Sequence, residues 1–271
     1  MNRNFIKPDR LINSLISKQQ VENQQFALLV SSLVGGGVIR GIEDLRFDHI
    51  RFLTADLPSL GKSMFEMVLF SMGYKSCGYE IKAQAITTYS YYHPQRYYPR
   101  VDIDMAEMLR LPKYLRQIIN QYEQQIAKEQ ASKIIESQED LYDLLFAPRW
   151  SRASLGHYKV LMEDHPLLAQ LVHHQCPVAN CVLKIDALPE GYSTYPEFLD
   201  YLKGLGMEID RSRDKRHAIE GGAVHTFSTI PSIFKAIFAD GEEVEISQDF
   251  LLLAIKQRVI KTNRLKPEVA I

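Results

Sequence analysis

Apolar and polar positions along this chain follow two periods, and the change from one to the other marks the elements. Over 46–54, Phe47, Ile50, Phe52 and Leu53 make a β-like run with His49 set into it, closed by the turn chemistry of Ala55-Asp56-Leu57-Pro58. Leu57, Leu60, Met64, Phe65, Val68, Leu69 and Met72 then recur at three- and four-residue spacing, which predicts a helix stopping at Gly73. Strand-like runs at 78–83, 86–92 and 100–105 follow, separated by polar, Gly or Pro positions. The predicted order is β-α-β-β-β.

The same order returns at Asn180. A strand over 180–185 leads through Leu188-Pro189 into a helix whose face is Phe198, Leu199, Leu202 and Leu205, ending at Gly206. Setting Phe65 on Phe198 brings Leu69 onto Leu202, Met72 onto Leu205 and Gly73 onto Gly206, an internal repeat of pattern more than of identity. Runs at 217–220, 225–230 and 233–246 supply the later strands, with Asp240-Gly241 a hairpin signal, and 251–259 is predicted as a closing helix.

The flanking segments are helical. Leu11, Ile12, Leu15, Ile16, Val21, Phe26, Leu29 and Val30 form one apolar stripe ended by Gly35-Gly36-Gly37, glycines that lack the lysine and serine or threonine of a phosphate loop. Between 106 and 176 the pattern is helical again, with polar stretches such as Lys128-Glu129-Gln130, and Trp150 is predicted as a half-buried packing residue. The division is an N-terminal helical segment (1–45), a first βαβββ module (46–105), a helical insert (106–178) and a second module with its closing helix (179–271), in one compact α+β domain. In the β-run, Phe47 and Arg51 are predicted to share a face with His49, and that face to line the cleft.

Composition narrows the function. Lysine plus arginine (32) nearly cancel aspartate plus glutamate (33), so no basic field draws the chain to nucleic acid or a membrane surface. Cys77, Cys176 and Cys181 have no C-x-x-C spacing, which argues against a disulfide framework and a cysteine zinc site. No signal-peptide core is visible and no apolar run reaches the roughly 18 residues that span a bilayer, so a soluble cytoplasmic protein is expected. No Gly-x-Ser-x-Gly elbow supports serine hydrolysis.

Two βαβββ units in one chain resemble the vicinal-oxygen-chelate architecture, in which paired modules curve around one cleft. The details resemble the 2-oxoadipate dioxygenase/decarboxylase family, long known only as a domain of unknown function. The resemblance covers nearly the whole chain and rests on Phe47-Asp48-His49-Ile50, Pro99-Arg100-Val101, Trp150 and Tyr158, Ser228-Thr229 and Gln257-Arg258 in the closing helix. It implies a non-haem iron(II) enzyme that uses dioxygen to decarboxylate and hydroxylate a small 2-oxo dicarboxylic acid. Two histidines and one carboxylate hold the metal in such sites and leave positions open for substrate and oxygen.

Carried onto this sequence, the first metal ligand is His49. The second falls on Asn180, the carboxylate on Leu252 and a substrate-gripping arginine on Leu53, so two of the three metal donors and the anchor are replaced. Replacement ligands on offer are His225, Asp102 and Asp249, with Asp104 on the same strand face as Asp102 by period-two spacing; each also has an ordinary structural role open to it. Arg51, Ser228 and Thr229 are candidate substrate contacts. His173-His174 ends a helix, where a surface role is expected, and His157 and His165 are too far apart to share a metal. Two functions stay open: an Fe(II) dioxygenase/decarboxylase with an altered site, or a metal-free, non-catalytic relative that binds a small carboxylic acid or a protein partner in the same cleft.

Overall fold

The computed structural model describes residues 7–58, 60–126, 138–219, 222–249 and 251–258. The N-terminal stripe is two helices, α1 (Pro8–Glu22) and α2 (Gln24–Gly35). Asn23 divides them: it ends α1 in an extended conformation, and its side chain accepts from Phe26 N at 2.7 Å to cap α2. Leu11, Leu15, Phe26, Leu29 and Leu33 are buried, whereas Val21, at the end of α1, is 85% exposed and leaves the predicted stripe.

The first module is β1 (Phe47–Ala55), α3 (Lys62–Ser71), β2 (Lys75–Ile81), β3 (Ile86–Tyr92) and β4 (Arg100–Ala106). Helix α3 begins later than its apolar spacing suggests. Leu57 and Leu60 sit in the preceding turns, where Thr54 Oγ1 donates to Leu60 O at 2.8 Å, and they pack with the helical insert. The insert carries α4 (Lys113–Glu123), α5 (Gln138–Phe146), α6 (Leu155–Asp164) and α7 (Pro166–His174), while Lys128-Glu129-Gln130 lies outside the described residues. Trp150 is buried beneath it, and its indole donates to Val172 O at 3.2 Å.

The second module is β5 (Val178–Lys184), α8 (Tyr195–Gly204), β6 (Lys215–Ile219), β7 (Gly222–Ser228) and β10 (Leu252–Arg258). The predicted closing helix is therefore a strand; Glu220 and Val259, at the limits of two predicted runs, lie outside the described residues. β10 runs between β5 and β7, and a strand with neighbours on both sides and both faces covered can be apolar throughout, as Leu252-Leu253-Ala254-Ile255 is. Strands β8 (Ser232–Ile237) and β9 (Glu243–Asp249) form a separate hairpin turned at Gly241, whose φ of 80° favours glycine. This hairpin is an excursion, and β10 completes the module.

The main sheet runs β2-β3-β4-β1-β5-β10-β7-β6, a curled half-barrel. Each module contributes its first strand to the centre, where β1 and β5 pair antiparallel, and in each the fourth strand lies parallel to the first. The order reads the same from either edge, as a pseudo-twofold requires. Helices α3 and α8 occupy equivalent places: Phe65 and Phe198 are both fully buried, and Gly73 and Gly206 follow their helices at φ of 88° and 74°. The fold is the paired βαβββ arrangement of vicinal-oxygen-chelate type. Among the described residues, no helix is long and apolar enough to cross a membrane.

Candidate functional site

Side chains alternate across the sheet, so burial partners tell the two faces apart. Ile50 and Phe52 of β1, Leu183 of β5, Leu253 and Ile255 of β10 and Phe227 of β7 share one core with Phe65 and Phe198. His49, Arg51 and Leu53, with Asn180, Val182, Leu252 and Ser228, take the opposite, concave face. The insert closes one end of it, where Leu53 and Ile86 pack against the cluster of Ala106, Leu115, Trp150 and Leu168.

The pairing register lays Ser228, Leu252, Val182, His49 and Arg100 in one row across five strands. Asn180 is two residues from Val182 on the same face, opposite Arg51. The three positions that the resemblance assigns to a metal thus do gather, but with an imidazole, an amide and an isobutyl group. An amide oxygen is a weak iron ligand and leucine none, so this donor set does not fit a three-ligand iron centre. Among the described residues no group of three or more His, Cys, Asp or Glu could hold a metal ion.

His49 is mostly buried, and its neighbour explains how it is held. Between Phe47 and His49 the register with β5 slips, a β-bulge that leaves Asp48 unpaired. Phe47 consequently joins the core with Ile50 and Phe52, so it does not share the face of His49 as the simple alternation predicts. The bulge also brings two adjacent side chains together, and His49 Nδ1 lies 2.8 Å from Asp48 Oδ2. Burial pushes the Asp48 carboxyl up, but the hydrogen bond and charge of His49, with Arg100 and Lys184, outweigh it and hold the carboxyl below its usual range. An ionised carboxylate only accepts, so Nδ1 donates, and Nε2 has no partner among the described residues.

The charged residues of this face are already partnered. Asp104, 1% exposed, accepts from Arg51 Nε at 2.6 Å, from Arg51 Nη2, from Thr88 Oγ1 and from Lys82 Nζ at 3.4 Å. Asp102 accepts from Ser90 Oγ at 2.7 Å and Arg100 Nη2 at 2.8 Å. The aspartate pair is therefore buried and tied to cations and hydroxyls, which leaves Asp102 poorly placed to take over as a metal ligand. Arg51 and Lys82 keep side-chain exposures of 39% and 36%.

Other candidates fall elsewhere. His225 is one residue out of phase with the concave face: it stacks on Tyr195 of α8 at 4.4 Å, and its Nε2 bonds Asp214. It cannot join His49. Asp249 ends β9 opposite Ser232, outside the main sheet, and its side chain is not among those described. Thr229 Oγ1 donates to Gln25 Oε1 at 2.5 Å and accepts from Leu251 N at 2.8 Å, an anchor for α2 in place of a substrate contact. Ser228 stays on the row, fully buried, with an Oγ that has no partner among the described residues. His173 and His174 are half-buried instead of exposed at the surface: burial, then the charges of His173 and Lys18, pull His174 down to about 3. The pairing of Lys82 with Asp104 was legible only by cross-strand register, whereas Arg100 pairs with Asp102 two residues along the same strand.

No family model and no curated protein matches the sequence. Solved structures do. A hydroxyglutarate synthase from Oryza sativa, in complex with 2-oxoadipate, is similar at TM-score 0.76 and 16% identity, over 97% of this chain and 85% of that one. A protein described as a hydrolase from Shewanella frigidimarina is similar at TM-score 0.74 and 18% identity, over 92% of both chains. A protein assigned to the glyoxalase superfamily from Ralstonia eutropha gives TM-score 0.68 and 16% identity, over 90% of this chain and 81% of that one. At these identities the likeness is one of fold.

Proposed function

We propose that the concave face binds a small 2-oxo dicarboxylic acid without a three-ligand iron centre. The carrying observation is the sharing of one buried carboxylate, Asp104, by two cations, Arg51 and Lys82, that both still reach solvent. Two positive charges against one negative charge leave room for a second anion, and a guanidinium is suited to a carboxylate in two-point contact. The Nε2 of His49, on the same face and without a partner among the described residues, offers a further polar contact to the remainder of the ligand. The likeness to a fold that holds 2-oxoadipate in another protein makes that acid the first to try.

One observation favours a second reading, retained iron-dependent dioxygenase chemistry. An imidazole whose Nδ1 donates to a carboxylate is oriented as metal-binding histidines commonly are. Calorimetric titration with a panel of 2-oxo dicarboxylic acids tests the first reading: binding should weaken at least tenfold in Arg51→Gln and Lys82→Gln. Unchanged affinity in both variants would sink it. Metal content and oxygen consumption of protein purified without chelators or nickel resin decide the second.

A further inference from the structure

A cavity of about 260 Å³ opens between the end of α7 and the β8–β9 hairpin, away from the concave row. Arg152 and Lys235 supply its charge, His173 and Gln175 its neutral polar groups, and Phe238 and Ile237 its apolar wall. Its charges are only partly matched. Lys235 meets Glu243 at 3.4 Å across the hairpin, with both side chains more than half exposed, and Arg152 has no ion-pair partner among the described residues. His173 is kept neutral by burial and by the charge of Arg152, so it offers a donor or an acceptor as needed. Its ring rests 5.7 Å from that of Phe238 and 5.8 Å from that of Tyr158, which fixes the wall. The side chain of Gln175 is fixed as well, by donation to Trp150 O at 2.5 Å.

We propose that this cavity is a binding site for a small organic anion, a carboxylate or phosphoryl group carried on a compact apolar body. A cation without a partner beside a neutral imidazole selects negative charge, and a guanidinium receives either oxyanion. Ile237, 55% exposed and backed by the buried ring of Phe238, gives an apolar body a surface that an inorganic ion cannot use. The volume lies just under the usual range for small-molecule sites, which restricts the body to about one ring. The hairpin that forms one wall is the excursion from the βαβββ pattern, so the site belongs to this insertion and is independent of the function proposed for the concave face.

Trp150 is the only tryptophan in the chain and its main-chain oxygen accepts from Gln175 of the cavity wall, so its fluorescence is followed alongside the heat of binding. Full-length protein in Tris chloride would be titrated with benzoate, phenyl phosphate and inorganic phosphate. Benzoate or phenyl phosphate should shift the emission and bind at least tenfold more tightly than inorganic phosphate, and whichever is tighter identifies the headgroup. Arg152→Gln should weaken that binding tenfold or more, whereas Arg51→Gln should change it less than twofold. Arg152 is exposed, and an unchanged thermal melt of the variant would show that the loss is local. No response from the wild type, equal binding of inorganic phosphate, or indifference to Arg152→Gln would each overturn the proposal. Loss on Arg51→Gln instead would place the ligand on the concave face and overturn it too.

Discussion

Asp48 and His49 are consecutive residues of one strand, yet their side chains are hydrogen bonded at 2.8 Å. In a regular strand they would point to opposite faces, and the bulge at Asp48 is what lets them meet. The pair fixes the proton of neutral His49 on Nδ1. Long-range proton–nitrogen correlation spectra of the wild type, recorded at a pH where the ring is neutral, should therefore show an unprotonated Nε2. In Asp48→Ala the ring should revert to the Nε2-protonated form that free imidazole prefers. A neutral ring protonated on Nε2 in the wild type would show that Asp48 does not orient it.

Asp104 holds the most closely tied charges of the concave face. Its loss leaves Arg51 and Lys82 without a carboxylate and Thr88 without its acceptor. Breaking a buried pair costs about 3–5 kcal/mol, reduced here because both cations reach solvent, so Asp104→Asn should cost about 1–3 kcal/mol in urea unfolding. Asp102→Asn should cost less, since its partner Arg100 is half exposed. Equal losses would mean that the exposure of the cations does not govern the cost.

The repeat predicts a matched pair of core residues. Phe65 meets Phe52 at 5.0 Å, and Phe198 fills the equivalent place under α8. Phe65→Ala and Phe198→Ala should each cost about 3–5 kcal/mol, as large cavities in a packed core do. Gly73→Ala and Gly206→Ala, both in left-handed backbone, should each cost about 1–2 kcal/mol. A loss below about 1 kcal/mol for either phenylalanine would show that the two helices are not equivalent.

That repeat was legible because helix spacing and helix-ending glycines are local signals. The fate of 251–259 was not, since a short apolar run suits a central strand and a buried helix alike, and only its flanking by β5 and β7 decides. Site residues failed for a related reason. A face is set by parity, so one bulge moved Phe47 into the core, and a phase of one residue put His225 under α8 while Ser228 stayed on the row. Asp102 and Asp104 were correctly placed on one face, and Arg100 can be counted two residues back from Asp102, but the partners of Asp104 come from other strands and cannot be counted along the chain.

His174 gives the stability of the protein an acid limit. Its Nε2 is buried without a partner among the described residues, and its pKa is drawn from 6.5 to about 3. The folded state therefore resists protonation that the unfolded chain accepts. The stability is complete above the unfolded value and is lost as the pH falls from 6.5 towards 3, with uptake of about one proton on unfolding. His174→Phe should flatten the urea midpoint across this window relative to the wild type. Parallel pH dependences for the two proteins would assign the acid sensitivity to other groups.

The metal positions allow a constructive test. His49, Val182 and Leu252 share one row, and Asn180 lies two residues from Val182 on the same face. The backbones of β1 and β10 are two strands apart, about 10 Å, so donors on both can lean towards one ion above β5. Wild-type protein, with one imidazole in place of two imidazoles and a carboxylate, should retain well under one iron or cobalt per chain after dialysis. Asn180→His combined with Leu252→Glu restores two donors and an anionic charge, and should retain close to one. Adding Leu53→Arg should then tighten binding of a 2-oxo dicarboxylic acid by supplying a carboxylate anchor near the insert-closed end. Stoichiometric metal in the wild type would mean that other residues complete the sphere around His49. A double variant no better than wild type would mean that the row does not converge on one point, and the concave face would then be a surface for anions alone.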